Sequence, residues 1–381
     1  ARTGYIAAQD ASGGASLRII QAYGRFLETQ GDTELAREVY NNYGRLAPDH
    51  PIIANSLARL KSGLSPAPLV KTPAEGLAEA LYGLASALAQ ESGIDISILY
   101  TQLALYLRPD FDVARTLLAD LYERGDRLED AIATYGRIAR TSPLYQNAQI
   151  QIAVDMDRLD RSKEAVARLR ALIRQYPHAV EPLTALGDIL RGRKDYADAV
   201  SEYTKAIELI GEPDERFWTI YYARGMSYER LKLWPSAEND LKLALKLSGD
   251  HPLVLNYLGY SWIEQKIHLE EAMAMIRRAV ELRPDDGYIV DSLGWAYFNI
   301  GDYENAVIHL EHAVQLQPDD VTINDHLGDA FWRVGRKIEA RFQWQHALEL
   351  EPDEEQEVSI REKLENGLKD ADVEMSADAG S

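Results

Sequence analysis

Steps of the Leu-Gly or Leu-Ala kind recur along the chain between polar, charge-rich runs. Their small residues are Ala85, Ala119, Ala153, Gly187, Gly225, Gly259, Gly294 and Gly328, spaced by 34, 34, 34, 38, 34, 35 and 34, with Gly24 as an earlier member. Twelve residues after each anchor comes a second small residue: Ala36, Ser97, Ala131, Ala165, Ala199, Ala237, Ala306 and Ala340, with Ala272 one late. A further twelve bring a helix stopper: Pro48, Pro109, Pro143, Pro177, Pro318 and Pro352, Pro284 shifted by one, and Gly211 or Gly249 in two units. Nine units sharing three columns make an internal repeat, and this decides the fold.

Each column has a physical reason. Two helices of about a dozen residues pack closely only where Gly or Ala lets their backbones approach. Proline ends the second helix, because it lacks an amide donor and clashes with the preceding turn. The Pro-Asp-Asp runs at 284–286 and 318–320 supply an N-cap for the next helix. Gly125, Gly301 and Gly335 fall between paired helices, where a left-handed C-cap is expected. The expectation is an all-α chain.

Breaks in the period give the organisation. A first repeat occupies 17–50, and 51–62 reads as a first helix without its partner, with Leu57-Ala58 at the anchor. Ser65 to Pro73 holds three prolines, so a non-helical hinge is expected over 63–77. Eight units follow over 78–354, starting near 78, 112, 146, 180, 218, 252, 287 and 321, with four extra residues, Asp214 to Phe217, lengthening one loop. A capping helix is expected over 355–369 and a disordered acidic tail over 370–381.

This 34-residue helix-turn-helix pattern resembles the tetratricopeptide repeat (TPR) over about residues 17–50 and 78–354. The resemblance implies a right-handed superhelix of about nine units, with first helices lining a concave face. Leu255–Trp262, Ala279–Trp295 and Ile323–Trp332 exceed the generic pattern. They look like alphaproteobacterial envelope TPR proteins related to outer-membrane lipoproteins, adaptors that hold periplasmic carboxy-terminal processing proteases and present cell-wall (peptidoglycan) hydrolases to them. The resemblance implies a periplasmic location, outer-membrane-anchored where a lipid-bearing Cys lies upstream. A structural or assembly scaffold without a protease, in the envelope or the cytosol, is the alternative.

Charge and composition narrow the function. Lys+Arg total 41 against 61 Asp+Glu, a net charge of −20, which argues against nucleic acid because binding a polyanion requires basic charge. Residues 353–381 carry ten acids and three bases, so a third of that charge sits near the C-terminus. No run approaches the ~20 apolar residues of a membrane span. Cysteine is absent, which removes disulfides, thiol nucleophiles and zinc–thiolate sites. The chain opens Ala1-Arg2-Thr3 without Met, as expected of a mature form with any signal peptide or lipid anchor upstream.

No catalytic motif, metal set or cofactor loop emerges. His309 and His312, three apart, lack the further convergent ligands a metal needs, and nothing marks the chain as an enzyme. The candidate site is a protein- or peptide-binding groove on the first helices of the C-terminal units. Its residues are Tyr222, Asn256, Tyr260, Tyr288, Asp291, Trp295, Asn299, Asp325, Asp329, Trp332 and Arg333. Aromatics and Arg are the usual hot-spot types, Asn pairs with peptide backbone, and the three Asp favour a partner carrying Lys or Arg while repelling a C-terminal carboxylate. Trp262 and Trp344 fall in core columns, and the earlier units offer a self-paired mixed-charge surface that includes Arg124 and Arg158.

Overall fold

The computed structural model describes residues 2–11, 16–90 and 93–368. Among them are 21 α-helices and no strand. Residues 370–381, the expected acidic tail, lie outside the described residues. The chain divides into two compact units at residue 194.

The first unit holds α1 (Arg2–Ala11), α2 (Leu17–Thr29), α3 (Thr33–Leu46), α4 (Pro51–Lys61), α5 (Pro73–Gln90), α6 (Ile94–Leu107), α7 (Asp112–Arg124), α8 (Leu128–Tyr135), α9 (Tyr145–Arg158), α10 (Ser162–Gln175) and α11 (Glu181–Gly192). Helices α2 and α3, α5 and α6, α7 and α8, and α9 and α10 pack as antiparallel hairpins. Helix α1, which the repeat pattern does not foretell, packs on α2 through Tyr5, whose ring lies 5.5 Å from Tyr23 and 5.4 Å from Phe26.

The second unit holds α12 (Tyr196–Ile210), a 3₁₀ turn (Glu215–Phe217), α13 (Trp218–Arg230), α14 (Trp234–Ser248), α15 (Pro252–Glu264), α16 (Leu269–Leu282), α17 (Gly287–Asn299), α18 (Tyr303–Leu316), α19 (Val321–Arg333), α20 (Lys337–Glu349) and α21 (Glu354–Asn366). Its hairpins are α13 with α14, α15 with α16, α17 with α18 and α19 with α20; α21 packs on α20. Trp262 and Trp344 are buried in its core.

The anchor columns work by contact. A Cβ on Gly294 would lie 2.6 Å from Leu310 Cγ across the α17–α18 crossing, and Ala306 at that crossing is wholly buried. The proline column acts one residue early. Ala47, Arg108, Tyr176, Arg283 and Gln317 each precede a proline and each leave the helix at φ between −127 and −140°. Proline's ring excludes the helical conformation for the residue before it, so the helix stops there. Gly211 and Gly249 end their helices with positive φ instead. Asp286 and Asp320 accept from the amides of Ile289 and Ile323, as expected of N-caps.

Three expectations shift. Helix α5 begins at Pro73, inside the expected hinge, because proline is well tolerated in a first turn. Gly125 has φ −91°, and Asp126 carries the left-handed turn at φ 56°, a conformation a short polar side chain tolerates. Gly301 and Gly335 do adopt positive φ. Helix α8 is only eight residues long and stops at Gly136, well before Pro143.

Candidate functional site

The residues singled out above sort into three clusters in the second unit. On α13 and α15, Tyr222 packs edge-on against Tyr257, with ring centroids 5.8 Å apart. Asn256 donates to Ser292 Oγ of the next first helix at 3.1 Å, while its Oδ1 is buried without a partner. The Tyr260 phenol is pushed well above its ordinary range by burial and then by the neighbouring Glu264 carboxylate.

The second cluster lies on α17, where Tyr288, Asp291, Trp295 and Asn299 form one stripe at helical spacing. Tyr288 is 56% exposed. The Trp295 indole is sandwiched between Phe298, at 4.7 Å and 5°, and His326 of α19, at 3.9 Å and 11°. Its Nε1 donates to Glu264 of α15 at 2.8 Å, so one ring is fixed by three helices. His326 is held in turn by Asp291, whose carboxylate oxygens lie 3.0 and 3.1 Å from Nδ1. Burial alone would push the His326 pKa down; Asp291, with smaller contributions from Asp325 and Asp329, outweighs it and raises the value. Asp291 thus favours the protonated form of the His326 ring. Asn299 turns back, donating to the Trp295 carbonyl oxygen.

The third cluster is closed by the chain itself. Lys363 of α21 reaches Asp325 at 2.7 Å and Asp329 at 2.8 Å, and Asp329 also accepts from Trp344 Nε1 at 2.9 Å. Burial pushes the Asp329 carboxyl above the usual carboxylate range, and Lys363 acts in the opposite sense. The two carboxylates hold the Lys363 ammonium above the usual lysine range against the opposing effect of burial. Trp332 packs beside Trp344 at 5.3 Å, under the end of α21, where a side chain on Gly367 would collide with its ring. The Arg333 guanidinium lies 6.0 Å from the Tyr303 ring centroid.

The sequence assigned Asp291, Asp325 and Asp329 to a basic partner, but Asp325 and Asp329 meet Lys363 of this chain and Asp291 meets His326. Asp291 and Asp329 are buried, at 7% and 4% exposure, and so do not line an open surface. Neighbouring first helices stand side by side, so their inward side chains bond laterally before any partner arrives. Trp332 is roofed over by the end of α21 rather than open. His326, Glu264 and Lys363 were missed. For Lys363 a signal existed: it stands 34 residues after Asp329, in the same column of a would-be next unit.

Residues 152–212 match the tetratricopeptide repeat family, and 294–335 match a TPR repeat family. Those two stretches are tetratricopeptide repeats. Among curated proteins, the TPR repeat-containing protein PA4667 of Pseudomonas aeruginosa is 32% identical over 87 residues, 23% of this chain and 15% of that protein. The BBSome complex member BBS4 of Bos taurus is 30% identical over 111 residues, 29% of this chain and 20% of its own length. The chain thus matches less than a quarter of either relative. Among solved structures, the APC/C hetero-tetramer Cut9–Hcn1 superposes with a TM-score of 0.57 at 15% identity, covering 96% of this chain and 81% of that one. That likeness concerns the TPR fold alone. No described helix is long and apolar enough to cross a membrane.

Proposed function

We propose that this TPR chain is a non-catalytic scaffold of the bacterial cell envelope, with the Tyr288–Trp295 stripe of α17 as its partner-binding face. The observation that carries the binding role is the Phe298–Trp295–His326 stack. The partly exposed Trp295 and Phe298 rings are held in place before binding, so little side-chain entropy is lost on docking. The partner is a protein, and the envelope setting makes it a carboxy-terminal processing protease with cell-wall hydrolases as clients. That setting rests on the resemblance of the C-terminal repeats.

The test is capture of proteins from an envelope extract by immobilised chain, with bound proteins identified by mass spectrometry. The expected result is a processing protease together with peptidoglycan hydrolases, and Trp295→Ala lowering capture roughly ten- to a thousandfold, the effect of an aromatic hot spot. Arg158→Ala, in the first unit, is expected to change little. Retention of structural or secretion components alone would replace the adaptor by an assembly scaffold. Normal capture by a folded Trp295→Ala chain would move the binding face elsewhere.

A further inference from the structure

Helices α5 and α6 differ from every other hairpin. Their 32 residues contain three charged side chains, Glu75, Glu79 and Asp95. Glu79 is already paired with Arg18 and Arg108. Four large apolar side chains on α6 face solvent: Ile96 at 53% exposure, Leu99 at 54%, Leu103 at 42% and Tyr106 at 83%. The seven later repeats keep the outer columns of this stripe polar. The column of Ile96 holds Asp130, Glu164, Asp198, Ser236, Glu271, Asn305 and Glu339; that of Tyr106 holds Arg140, Arg174, Glu208, Lys246, Glu281, Gln315 and Glu349. A helix that is apolar on all sides requires cover on all sides.

Helix α5 shows the same lack of cover. Leu84 is 43% exposed and Leu77, one heptad earlier on its face, 53%. In later repeats the column of Leu84 is buried against the preceding second helix: Leu293 shares a core with Ile276, and Leu327 with Leu310. The hairpin α5–α6 therefore lacks on this side the cover that α21, through Ile360, gives the last hairpin of the second unit. Stacked repeats need a polar cap at each end or a partner in its place.

We infer that the α5–α6 face is covered by the same face of a second copy of this chain, in a two-fold dimer. The spacing on α6 is 3, 4 and 3 residues, that of a coiled-coil seam whose side chains interlock with a facing helix. It is also palindromic about Thr101. Two copies of α6 laid antiparallel set Ile96 against Tyr106 of the partner subunit and Leu99 against Leu103 of the partner subunit. Such a contact is self-complementary and closes without forming filaments. The four exposed side chains of α6 supply the apolar centre of such an interface, and the polar residues around them its rim, toward the ~800 Å² per partner of a stable complex. Charge favours the same face. A chain of net charge −20 repels its copy, and this almost uncharged hairpin offers the approach least opposed by like charge.

Sedimentation equilibrium of the full chain at micromolar concentration tests the inference. The expected mass is twice that of the chain, and the Leu99→Glu, Leu103→Glu double variant sediments as a monomer with an unchanged helical dichroism spectrum. Ile308→Glu, which places a charge in the column of Leu99 on another exposed helix, leaves the dimer intact. Because the chain has no cysteine, register is read directly: Leu99→Cys chains mixed with Leu103→Cys chains crosslink on mild oxidation, and neither does so alone. A monomeric wild type, or a dimer indifferent to the double variant, would overturn the inference.

Discussion

Trp295 cannot turn without disturbing three helices. Its ring is stacked on His326, His326 is held by Asp291, and its indole nitrogen is tied to Glu264. The His326–Asp291 pair makes a pH prediction whose sign can be worked out. The folded His326 pKa is raised above its unfolded value. Its stabilising contribution is therefore complete below about pH 6.5 and is lost as pH rises through the folded value. His251 and His309 have pKa values lowered by burial and act in the opposite sense, so raw stability mixes the effects. The difference between wild type and Asp291→Asn cancels them. That difference, measured as a shift in urea midpoint, is expected to be largest near pH 5–6 and to shrink on going alkaline. All six Trp lie in the second unit, so tryptophan fluorescence reports that unit alone. A gap that grows with pH would contradict the assignment of His326 as the protonated partner.

At the scale of helices, the crossings carry the stability of a hairpin. Ala306→Leu inserts three heavy atoms where α17 and α18 touch, and is expected to cost ~1–3 kcal/mol by overpacking. Ile308→Ala, on the same helix at 59% exposure, is expected to fall within about 0.5 kcal/mol of wild type. Denaturation monitored by fluorescence separates the two, and equal midpoints would show that the crossing is misassigned. Much of this was legible in the sequence, because a close crossing restricts its residue to Gly or Ala and a proline restricts the residue before it. Helix α8 was not legible at its end: nothing in the spacing distinguishes Gly136 as a stop from a tolerated interior glycine. Helix α1 stands outside the repeat and had no column to reveal it.

For the molecule as a whole, repeats interact chiefly with their neighbours, so damage at one end stays local. Lys363→Ala leaves Asp325 and Asp329 without their cation in a largely buried site. Breaking such a pair from one side typically costs ~3–5 kcal/mol, because an uncompensated charge stays behind. Hydrogen exchange is expected to accelerate in α19 to α21 and to remain unchanged in α7 to α10. Uniform loss of protection across both units would mean that the chain unfolds as a single block. A Lys363→Met variant, which keeps the volume without the charge, is expected to exchange as fast in the same three helices.

The sequence by itself determined the repeat, its period, the helix crossings and most helix ends. These follow from constraints that act within a few residues or at a single contact, and the same small or cyclic side chain recurs wherever they apply. Only the tertiary structure decided which polar residues are free. Asp291, Asp325 and Asp329 read as an open acidic surface until α19 and α21 bring His326 and Lys363 against them, from 34 to 38 positions further along. The apolar stripe of α6 was spelled out in the sequence, yet an apolar side chain reads the same whether a neighbour covers it or not. Its exposure emerged only once the helices that pack against it, and the side they leave bare, were in place.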